Sequence, residues 1–373
     1  MTRGPWPDAG VLETWARAAL ARWTAPVGPA VRLITISENA SFRVTTPDGP
    51  WAVLRLYRPG RRRRREIDSE LAWMTVLAAA GAVVVPGHFH GRDGAAVQSL
   101  PGPDGPRHWV LFHHLAGQTP GVDGDLTGGF EILGEIAARL HLHAMAWSRP
   151  AGFSRGAWDL EAIFGQRPRW GDWRDGPQVT VPVRAVLERV EACLRRRLTD
   201  FGQAPRRFGL IHADMRLANL LVDGAAVRLI DFDDCGFGWF LYDLAAALSF
   251  MEDDPRVPAL KSAWLAGYQN VRPLTAADLA EVDSFIMLRR MALLAWIGSH
   301  GEAPEPQALA AGFAEATAAL GETWLAGLCT RRQKRRRLTR SRRKNRAEGA
   351  HSGGTGVSPF SNAARRIASR LGD

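Results

Sequence analysis

The sequence predicts an α+β fold with a small N-terminal antiparallel β lobe and a larger helical C-terminal lobe. β-branched and aromatic residues dominate residues 31–57, whereas apolar residues recur at helical spacing from Phe130 onwards. Between these regions lies the Gly- and Pro-rich stretch "LAGQTPGVDGDLTGG". We therefore expect two lobes joined by a linker near residues 113–118.

The N-terminal lobe is predicted to contain the strands "VRLITI", "SFRV" and "WAVLRLY", the last two joined by a turn at "TPDGP". A helix should follow over residues 67–80, because Leu71, Met74 and Leu77 lie on one face and Gly81 ends the pattern. "AVVVP" and "HWVLF" are predicted as two more short strands. These segments together indicate a mostly antiparallel sheet with one inserted helix.

The C-terminal lobe is predicted to begin with a helix whose apolar stripe contains Ile132, Ile136, Leu140 and Ala144. Another helix is expected over residues 183–199, and helices should fill most of residues 239–328. Between them, "NLLV" and "VRLI" are expected to pair as a hairpin around "DGAA". The hairpin is therefore expected at the entrance of a helical lobe.

Composition narrows the class of protein. Hydrophobic residues make up 46% of the chain, which also has 14 Trp, enough for a buried core. The three Cys residues are far apart and give neither a disulfide framework nor a metal-binding spacing, which fits a reducing compartment. The N-terminus lacks a signal-peptide pattern, and no run approaches the roughly 20 apolar residues that cross a bilayer. We therefore expect a cytoplasmic protein with no transmembrane segment.

The net charge of +10 comes from the C-terminal tail. Residues 331–373 contain 14 Arg or Lys and two acidic residues, whereas the rest of the chain is close to neutral. This tail lacks apolar periodicity over most of its length and is predicted to be disordered. It can attract anionic polymers or membranes nonspecifically. Because it lacks the interleaved aromatic residues that stack on bases, no specific nucleic-acid partner is expected.

Chemically distinctive residues lie in "LIHADMRLANLLVDGAAVRLIDFDDCG", residues 210–236. If its two strands form a hairpin, the loop with Asp214 and Asn219 lies beside Asp231, which ends the second strand. An amide oxygen and a carboxylate form a hard-oxygen site suited to Mg²⁺. A second carboxylate left off the metal can orient a hydroxyl nucleophile and accept its proton, an arrangement typical of phosphoryl transfer. The alternative is an ordinary hairpin with an Asx-rich turn.

The same stretch resembles the aminoglycoside phosphotransferase-type kinases, whose relatives include homoserine kinases, choline kinases and bacterial stress-response protein kinases. The N-terminal segments "SENASFRV", "VLRLYRPG" and "EIDSEL" resemble one branch of this family and follow its order. The resemblance covers roughly residues 30–330. It implies a two-lobed protein kinase-like fold, with a nucleotide-binding lobe over 30–115 and a catalytic and substrate-binding lobe over 116–330. Outside it, we predict an N-terminal helical extension over 1–29 and the basic tail over 331–373.

The resemblance implies roles for the polar residues of the C-terminal lobe. Asp214 would be the catalytic base that orients the acceptor hydroxyl, and Asn219 and Asp231 would hold Mg²⁺. Asp233 would assist a second metal ion. Arg216 lies two residues after the base, where it either faces the transferred phosphate or forms a salt bridge with a neighbouring acid.

In the N-terminal lobe, the resemblance implies a strand cation that binds the nucleotide phosphates and a helix acid that holds this cation. Arg55 takes the cation position, with Glu70 as its partner, because the first 260 residues contain no Lys. The alternative for Arg55 is an exposed strand position.

The first turn of this lobe, "TISENAS", lacks the glycines that let backbone amides approach phosphates. Ser37, Asn39 and Ser41 would therefore contribute side-chain donors to the nucleotide or tolerate αL backbone geometry. The backbone from Phe112 to His114 would pair with the edge of the purine. ATP and GTP remain alternatives as the phosphate donor.

The sequence thus predicts a kinase that moves the γ-phosphate of ATP or GTP to a hydroxyl of a small molecule, with Mg²⁺ as cofactor. A Ser/Thr protein kinase is the alternative enzyme. A pseudokinase that binds nucleotide without transfer, and a protein that associates with RNA or membranes through its tail, are alternatives of other classes. The run Arg61–Arg65 is interpreted as a solvated loop, with an anion clamp as the alternative. The sequence does not name the phosphate acceptor.

Overall fold

The structure is a computed structural model that describes residues 6–102, 105–121, 124–224 and 226–329. The chain forms two compact units, Met1–Glu322 and Thr323–Asp373. All elements discussed below belong to the first unit. In the second unit, the described residues 323–329 are helical. The predicted disordered tail over 331–373 lies outside the described residues.

The first lobe contains a five-stranded antiparallel sheet in the order β1-β2-β3-β5-β4. Its strands are β1 (Ala30–Ile36), β2 (Asn39–Thr46), β3 (Gly49–Tyr57), β4 (Gln98–Leu100) and β5 (Arg107–His113). Helix α1 (Ala9–Leu20) begins at Asp8, whose carboxylate caps the helix by accepting from the amide of Val11. Leu12 and Leu20 of this helix are buried in one core with Phe42 and Trp109 of the sheet.

The helix inserted into this sheet is α2 (Arg64–Ala79). It begins three residues earlier than predicted because Glu66 accepts a hydrogen bond from the Arg63 amide and stabilises the first turn. The prediction of a strand at "AVVVP" was wrong: residues 82–86 form a turn and an irregular segment. The Val84 carbonyl in this segment accepts a hydrogen bond from Leu229, so it bridges to the C-terminal hairpin instead of the sheet.

The second lobe is mostly helical, as predicted. Its helices are α3 (Thr127–Ala146), α4 (Leu160–Phe164), α5 (Val181–Phe201), α6 (Tyr242–Ala247), α7 (Val257–Val271), α8 (Ala276–Leu279), α9 (Val282–Ser299) and α10 (Pro304–Leu309), followed by helical residues 313–322. Helices α3 and α7 approach closely at glycines: a Cβ on Gly134 would lie 2.0 Å from the Trp264 carbonyl oxygen. Side chains larger than glycine therefore do not fit at this crossing.

Two small sheets bring the polar segments of this lobe together. The predicted hairpin consists of β8 (Leu220–Asp223) and β9 (Ala226–Leu229), paired antiparallel. The other sheet was not predicted and joins β6 (Ala157–Trp158), β7 (Phe208–Ile211) and β10 (Gly236–Trp239) in the order β6-β10-β7. Since β7 precedes the loop with Asp214 and β10 follows Asp231, their pairing holds the two loops side by side.

The predicted fold class is confirmed: an antiparallel N-terminal sheet precedes a helical C-terminal region. Gln118 exchanges two backbone hydrogen bonds with Val222 and so attaches the segment after β5 to the hairpin. The lobe boundaries at residues 29, 115 and 330 remain predictions. In the part of the chain that the structure describes, none of the helices is both long and apolar enough to cross a membrane.

Candidate active site

Asp214 is held on both sides of its carboxylate by residues from different parts of the chain. Arg289 of α9 donates to Oδ1 at 2.8 Å, and the side-chain amide of Asn219 donates to Oδ2 at 2.9 Å. Arg216 also approaches Oδ2 at 3.3 Å, and its other ion partner is Glu305 at 3.6 Å. The carboxylate therefore has a fixed orientation and lies among three hydrogen-bond donors.

The buried carboxylate of Asp243 holds the loop that carries Asp214. Both oxygens of Asp243 accept backbone hydrogen bonds from this loop, one from His212 at 3.2 Å and one from Ala213 at 2.7 Å. His141 of α3 contacts the same carboxylate at 2.9 Å. The His212 ring contacts the Ile230 carbonyl at 3.1 Å and so links the loop to the segment before Asp231.

Non-glycine residues with positive φ also cluster at this site. Among the described residues, the non-glycine residues with positive φ are Gln178, Ala213, Asp231 and Phe250. Three of these four lie at this site, and such conformations are costly for side chains larger than glycine. At Asp231, φ is 66° and ψ is 65°, so the chain turns sharply as it leaves β9. We infer that packing around the site maintains these conformations.

Asp231 meets the cation predicted in the N-terminal lobe. The Arg55 guanidinium lies 3.0 Å from the Asp231 carboxylate and 3.7 Å from Glu70 on α2. Burial lowers the pKa of Arg55, but Asp231, Tyr57 and Glu70 outweigh that effect and raise it. Burial raises the pKa of Glu70 to about 7, against the opposing effect of Arg155 and Arg55. Arg55, whose side chain is 13% exposed, is therefore a mostly buried, permanently charged group at the junction of the lobes, not an exposed strand residue.

The run Arg61–Arg65 was interpreted as a solvated loop, and this was wrong for its first two residues. The side chains of Arg61 and Arg62 are 8% and 7% exposed, and Arg62 donates to Asp233 at 3.0 Å. Arg63, Arg64 and Arg65 are exposed as expected. The charge run therefore divides into a buried pair and a solvated remainder.

Asp233 and Asp234 are the acids that Arg61 and Arg62 neutralise. Arg61 lies 3.8 Å from Asp233 and 3.5 Å from Asp234, and Arg62 lies 2.9 Å from Asp234. Burial raises the pKa of Asp233, but Arg62 and Arg61 outweigh that effect and hold the pKa well below its usual range. Oxygen atoms of Glu38, Asp233 and Asp234 lie within 4.8 Å of one another, with these arginines among them.

Two clefts open on either side of Asp231. The first, here called the Phe112 cleft, has a volume of about 480 Å³, within the range of small-molecule sites. Its lining includes Ile34, Val53, Arg55, Phe112, His113, His114, Leu115, Asn219, Leu221, Ile230 and Asp231. It is therefore a mainly apolar slot with Arg55, Asn219 and Asp231 at one end.

The second, here called the Asp214 cleft, is lined by acidic and aromatic side chains. Its acids are Glu38, Asp214, Asp231, Asp233, Asp234 and Glu305. Trp170, Phe250, Leu293 and Trp296 supply apolar surface, and Arg216 and Arg289 supply positive charge. The clefts share Asp231, so a group bound near this residue is accessible from both.

The predicted site residues divide between the clefts. Asn219 and Asp231 lie together as expected, and both line the Phe112 cleft. Ser37 and Asn39, expected to contact a nucleotide, line the Asp214 cleft. The Asn39 side chain accepts a hydrogen bond from the Arg58 amide at 3.2 Å and so stabilises the adjoining strands.

The segment expected to contact a purine forms one wall of the Phe112 cleft. Its backbone amides are partly in use: His113 donates to the Gly87 carbonyl at 2.8 Å and His114 donates to the Trp51 carbonyl at 3.1 Å. A purine contact at these two residues would therefore use their carbonyl oxygens, because their N–H groups already donate to the carbonyls of Gly87 and Trp51.

Sequence reasoning missed several residues of the Asp214 cleft, among them Glu38, Arg289 and Trp296. Arg289 and Trp296 lie on one face of α9 together with Leu293, at helical spacing. An arginine inside a helix that is apolar on nearly all sides was an available signal, because a buried charge requires a partner. Glu38 was missed because its neighbours in the same turn, Ser37 and Asn39, were interpreted as hydrogen-bond donors to the nucleotide.

Comparison with known proteins identifies the family of this chain. The model of the phosphotransferase enzyme family (APH) matches residues 31–277. This chain belongs to that family. The phosphotransferase is similar to the solved structure of a microcompartment-associated aminopropanol kinase, with 42% sequence identity, a TM-score of 0.79 and coverage of 84% of this chain and 98% of that chain.

Other relatives are more distant. A homoserine kinase of Gluconobacter oxydans is 31% identical over 255 residues, which is 66% of this chain and 74% of the relative. The structure of the amicoumacin kinase hAmiN with AMP-PNP, Ca²⁺ and Ami has a TM-score of 0.66 at 20% identity, covering 82% of this chain and 92% of that one. The latter supports the fold alone. The predicted family and the class of enzyme, a phosphotransferase with an alcohol group as acceptor, are confirmed.

Proposed function

We propose that this phosphotransferase moves the γ-phosphate of ATP to a hydroxyl group of a small amino alcohol, with Asp214 as the general base. The observation that carries the proposal is the position of Asp214. It lies in a cleft of its own, which opens beside Asp231, and Asp231 also lines the Phe112 cleft. A hydroxyl bound beside Asp214 can therefore attack a phosphate that enters from the other cleft.

The orientation of the Asp214 carboxylate suits this role. Arg289 occupies Oδ1, so Oδ2 would receive the hydroxyl proton, and the acceptor hydroxyl competes for this oxygen with the N–H donors of Asn219 and Arg216. A fixed base contributes chiefly by positioning, since little covalent chemistry is required of the protein in phosphoryl transfer. Arg216 is placed to offset the negative charge of the transferred phosphate.

The Phe112 cleft is proposed as the nucleotide site. Val53 and Leu221 supply flat apolar walls suited to a purine ring, and Arg55 at the inner end supplies a fixed cation for phosphate oxygens. Glu70 holds Arg55 in this position. Backbone carbonyls at His113 and His114 can accept from the exocyclic amino group that adenine and guanine both carry, so we retain ATP as the proposed donor and GTP as its alternative.

Asn219 and Asp231 are proposed to hold Mg²⁺. Their oxygen donors fit the ion, both line the Phe112 cleft, and the Asp231 side chain is 43% exposed. When bound, Mg²⁺ neutralises charge on the phosphates. Asp233 fits less well, because Arg61 and Arg62 lie against its buried carboxylate. We propose that Asp233 instead anchors these arginines.

The acceptor class is proposed from the surface of the Asp214 cleft. Acidic side chains outnumber basic ones in its lining even without Asp233 and Asp234, which Arg61 and Arg62 neutralise, and this favours a cationic acceptor over one that carries a carboxylate. The aromatic side chains narrow the Asp214 cleft, and a narrow cleft favours a small-molecule acceptor over a protein chain. The resemblance to an aminopropanol kinase agrees with both points. Homoserine is the second candidate, because homoserine kinases are among the relatives and Arg216 could bind a carboxylate.

The test is a phosphate-acceptor screen with the purified full chain, Mg²⁺ and ATP. Aminopropanol isomers, other amino alcohols, homoserine, sugars and a protein substrate are offered, and phosphorylated products are identified by ³¹P NMR. We expect turnover of amino alcohols, and Asp214→Asn should lower kcat by about 10³-fold. Asp48→Asn, on an exposed turn, is the control. Undiminished turnover by Asp214→Asn would disprove its role as base.

A further inference from the structure

The turn between β1 and β2 reaches the Asp214 cleft through Glu38. This acid lies one residue from the end of β1, in the turn expected to cover nucleotide phosphates. A carboxylate repels phosphates, and Glu38 lines the cleft that holds Asp214. Its position is therefore unexplained by a role in binding the nucleotide.

Helix α9 contacts both Glu38 and Asp214. Trp296 donates its indole N–H to Oε1 of Glu38 at 3.2 Å, and the ring of His300, one helical turn further, lies 3.5 Å from the same oxygen. Trp296 also lines the cleft, as does Leu293. The same face of α9 holds Asp214 through Arg289. One helix face therefore extends from the proposed base to the Glu38 carboxylate.

The opposite oxygen of Glu38 contacts Arg61. Arg61 shares its charge with Asp233 and Asp234, at 3.8 and 3.5 Å. Arg61 would therefore keep two acidic neighbours if the Glu38 carboxylate turned to another cation. Since Glu38 lines the cleft and its side chain is 14% exposed, a ligand in the cleft can reach it.

We propose that Glu38 and Trp296 form the subsite that binds the ammonium group of the acceptor. The carboxylate would pair with the ammonium group, and the face of the Trp296 ring would add a cation–π contact. The acceptor hydroxyl would then face Asp214 from the other end of the same cleft. This inference rests on the proposed function, because it assumes a small amino-alcohol acceptor.

The subsite predicts acceptor selectivity that depends on one carboxylate. Replacing it with a neutral amide removes the ion pair and retains the shape and the bond from Trp296. Glu38→Gln should raise KM for aminopropanol at least about ten-fold, the expected loss for a hydrogen bond to a charged group. KM for ATP, and turnover of propanediol, which carries a hydroxyl in place of the ammonium group, should change less than about two-fold.

The experiment compares wild type, Glu38→Gln, Trp296→Leu and Glu302→Gln with aminopropanol and with propanediol, at saturating ATP. Trp296→Leu removes the ring and should also lower the preference for the amine. Glu302→Gln is the matched control, because Glu302 lies nearby, pairs with Arg58 and lies outside the lining of the cleft. Thermal melting of each variant shows whether it is folded.

The outcomes separate this inference from the proposed function. Wild type that phosphorylates aminopropanol, with Glu38→Gln losing selectivity for it, supports both. Equal selectivity in wild type and Glu38→Gln overturns the subsite and leaves the proposed function intact. A rise in KM for ATP, with acceptor selectivity unchanged, would assign Glu38 to the nucleotide and overturn the subsite too. Wild type that phosphorylates no amino alcohol overturns both.

Discussion

The Phe112 cleft and the Asp214 cleft share Asp231 but differ in how their walls are held. Apolar side chains on the strands, with histidines at the rim, form most of the Phe112 cleft. Acids form much of the Asp214 cleft, with Arg61, Arg62 and Arg289 as their partners. The first cleft therefore depends on packing of neighbouring strands, whereas the second depends on ion pairs between distant segments. Changes to single charges should consequently affect the second cleft more.

The largest effect is expected at Arg62, whose side chain is 7% exposed and which binds Asp233 at 3.0 Å. Removing one partner of a buried ion pair leaves the other charge buried, at a cost of about 3–5 kcal/mol. Arg62→Ala should lower the free energy of unfolding by about 3 kcal/mol, the low end, because Arg61 remains near Asp233. Urea unfolding monitored by Trp fluorescence measures it.

Arg64→Ala is the matched control, since Arg64 belongs to the same charge run. It pairs with Asp68 at 3.2 Å on the surface of α2, and such pairs contribute about 0.3–0.5 kcal/mol. If Arg62→Ala and Arg64→Ala lowered the free energy of unfolding equally, the ion pairs of the Asp214 cleft would stabilise the protein no more than those of an ordinary charged surface.

The next largest effect is expected at Arg289, the partner of Asp214 Oδ1. Without it the carboxylate can rotate, and misplacement of a reacting group by about 1 Å can cost about 10²-fold in rate. Arg289→Gln should therefore lower kcat by about 10²-fold and leave KM for ATP nearly unchanged. Steady-state kinetics with both substrates varied measures this.

Arg289→Lys is the informative comparison, because it keeps the charge but cannot make the forked contact with the Ala213 carbonyl and Asp214. A partial recovery of kcat relative to Arg289→Gln is expected. If instead KM for ATP rose and kcat were preserved, Arg289 would act on the nucleotide side.

The same contrast explains which features the sequence predicted. Asp214, Asn219 and Asp231 lie within 18 residues of sequence and are brought together by one hairpin. The local sequence pattern was therefore enough to predict that they lie close together. The two lobes were predictable because strand and helix periodicities are also local. By contrast, Arg62 finds Asp233 only after folding brings together residues 171 positions apart.

Rules for charge runs assume that the side chains lie in solvent. They failed at Arg61 and Arg62 because both residues also pair with Asp233 and Asp234 of the other lobe. The strand predicted at residues 82–86 failed for a related reason. Its apolar, β-branched residues fit a strand locally, but Val84 bonds to Leu229 of the hairpin instead of to the sheet. In both cases tertiary contacts overrode a local preference.

The smallest effect is expected at His88, next to a strand that lines the Phe112 cleft, as a change in the pH dependence of stability. His88 forms a backbone bridge with Phe112, and its ring lies 5.4 Å from that of His90. Burial, with His90 and His113 nearby, lowers the pKa of His88 from 6.5 to about 4. Between these values the unfolded chain binds more protons than the folded one, so this residue makes stability fall as pH decreases from 6.5 to 4.

His88→Asn should remove this part of the acid sensitivity. The difference in unfolding free energy between wild type and variant should therefore move in favour of the variant as pH is lowered from 7.5 to 4.5, and stay constant above pH 7.5. Urea unfolding at several pH values measures it, and groups common to both proteins cancel in the difference. A difference that does not vary with pH would mean that His88 binds protons equally in both states, and that acid acts on the two clefts through other groups.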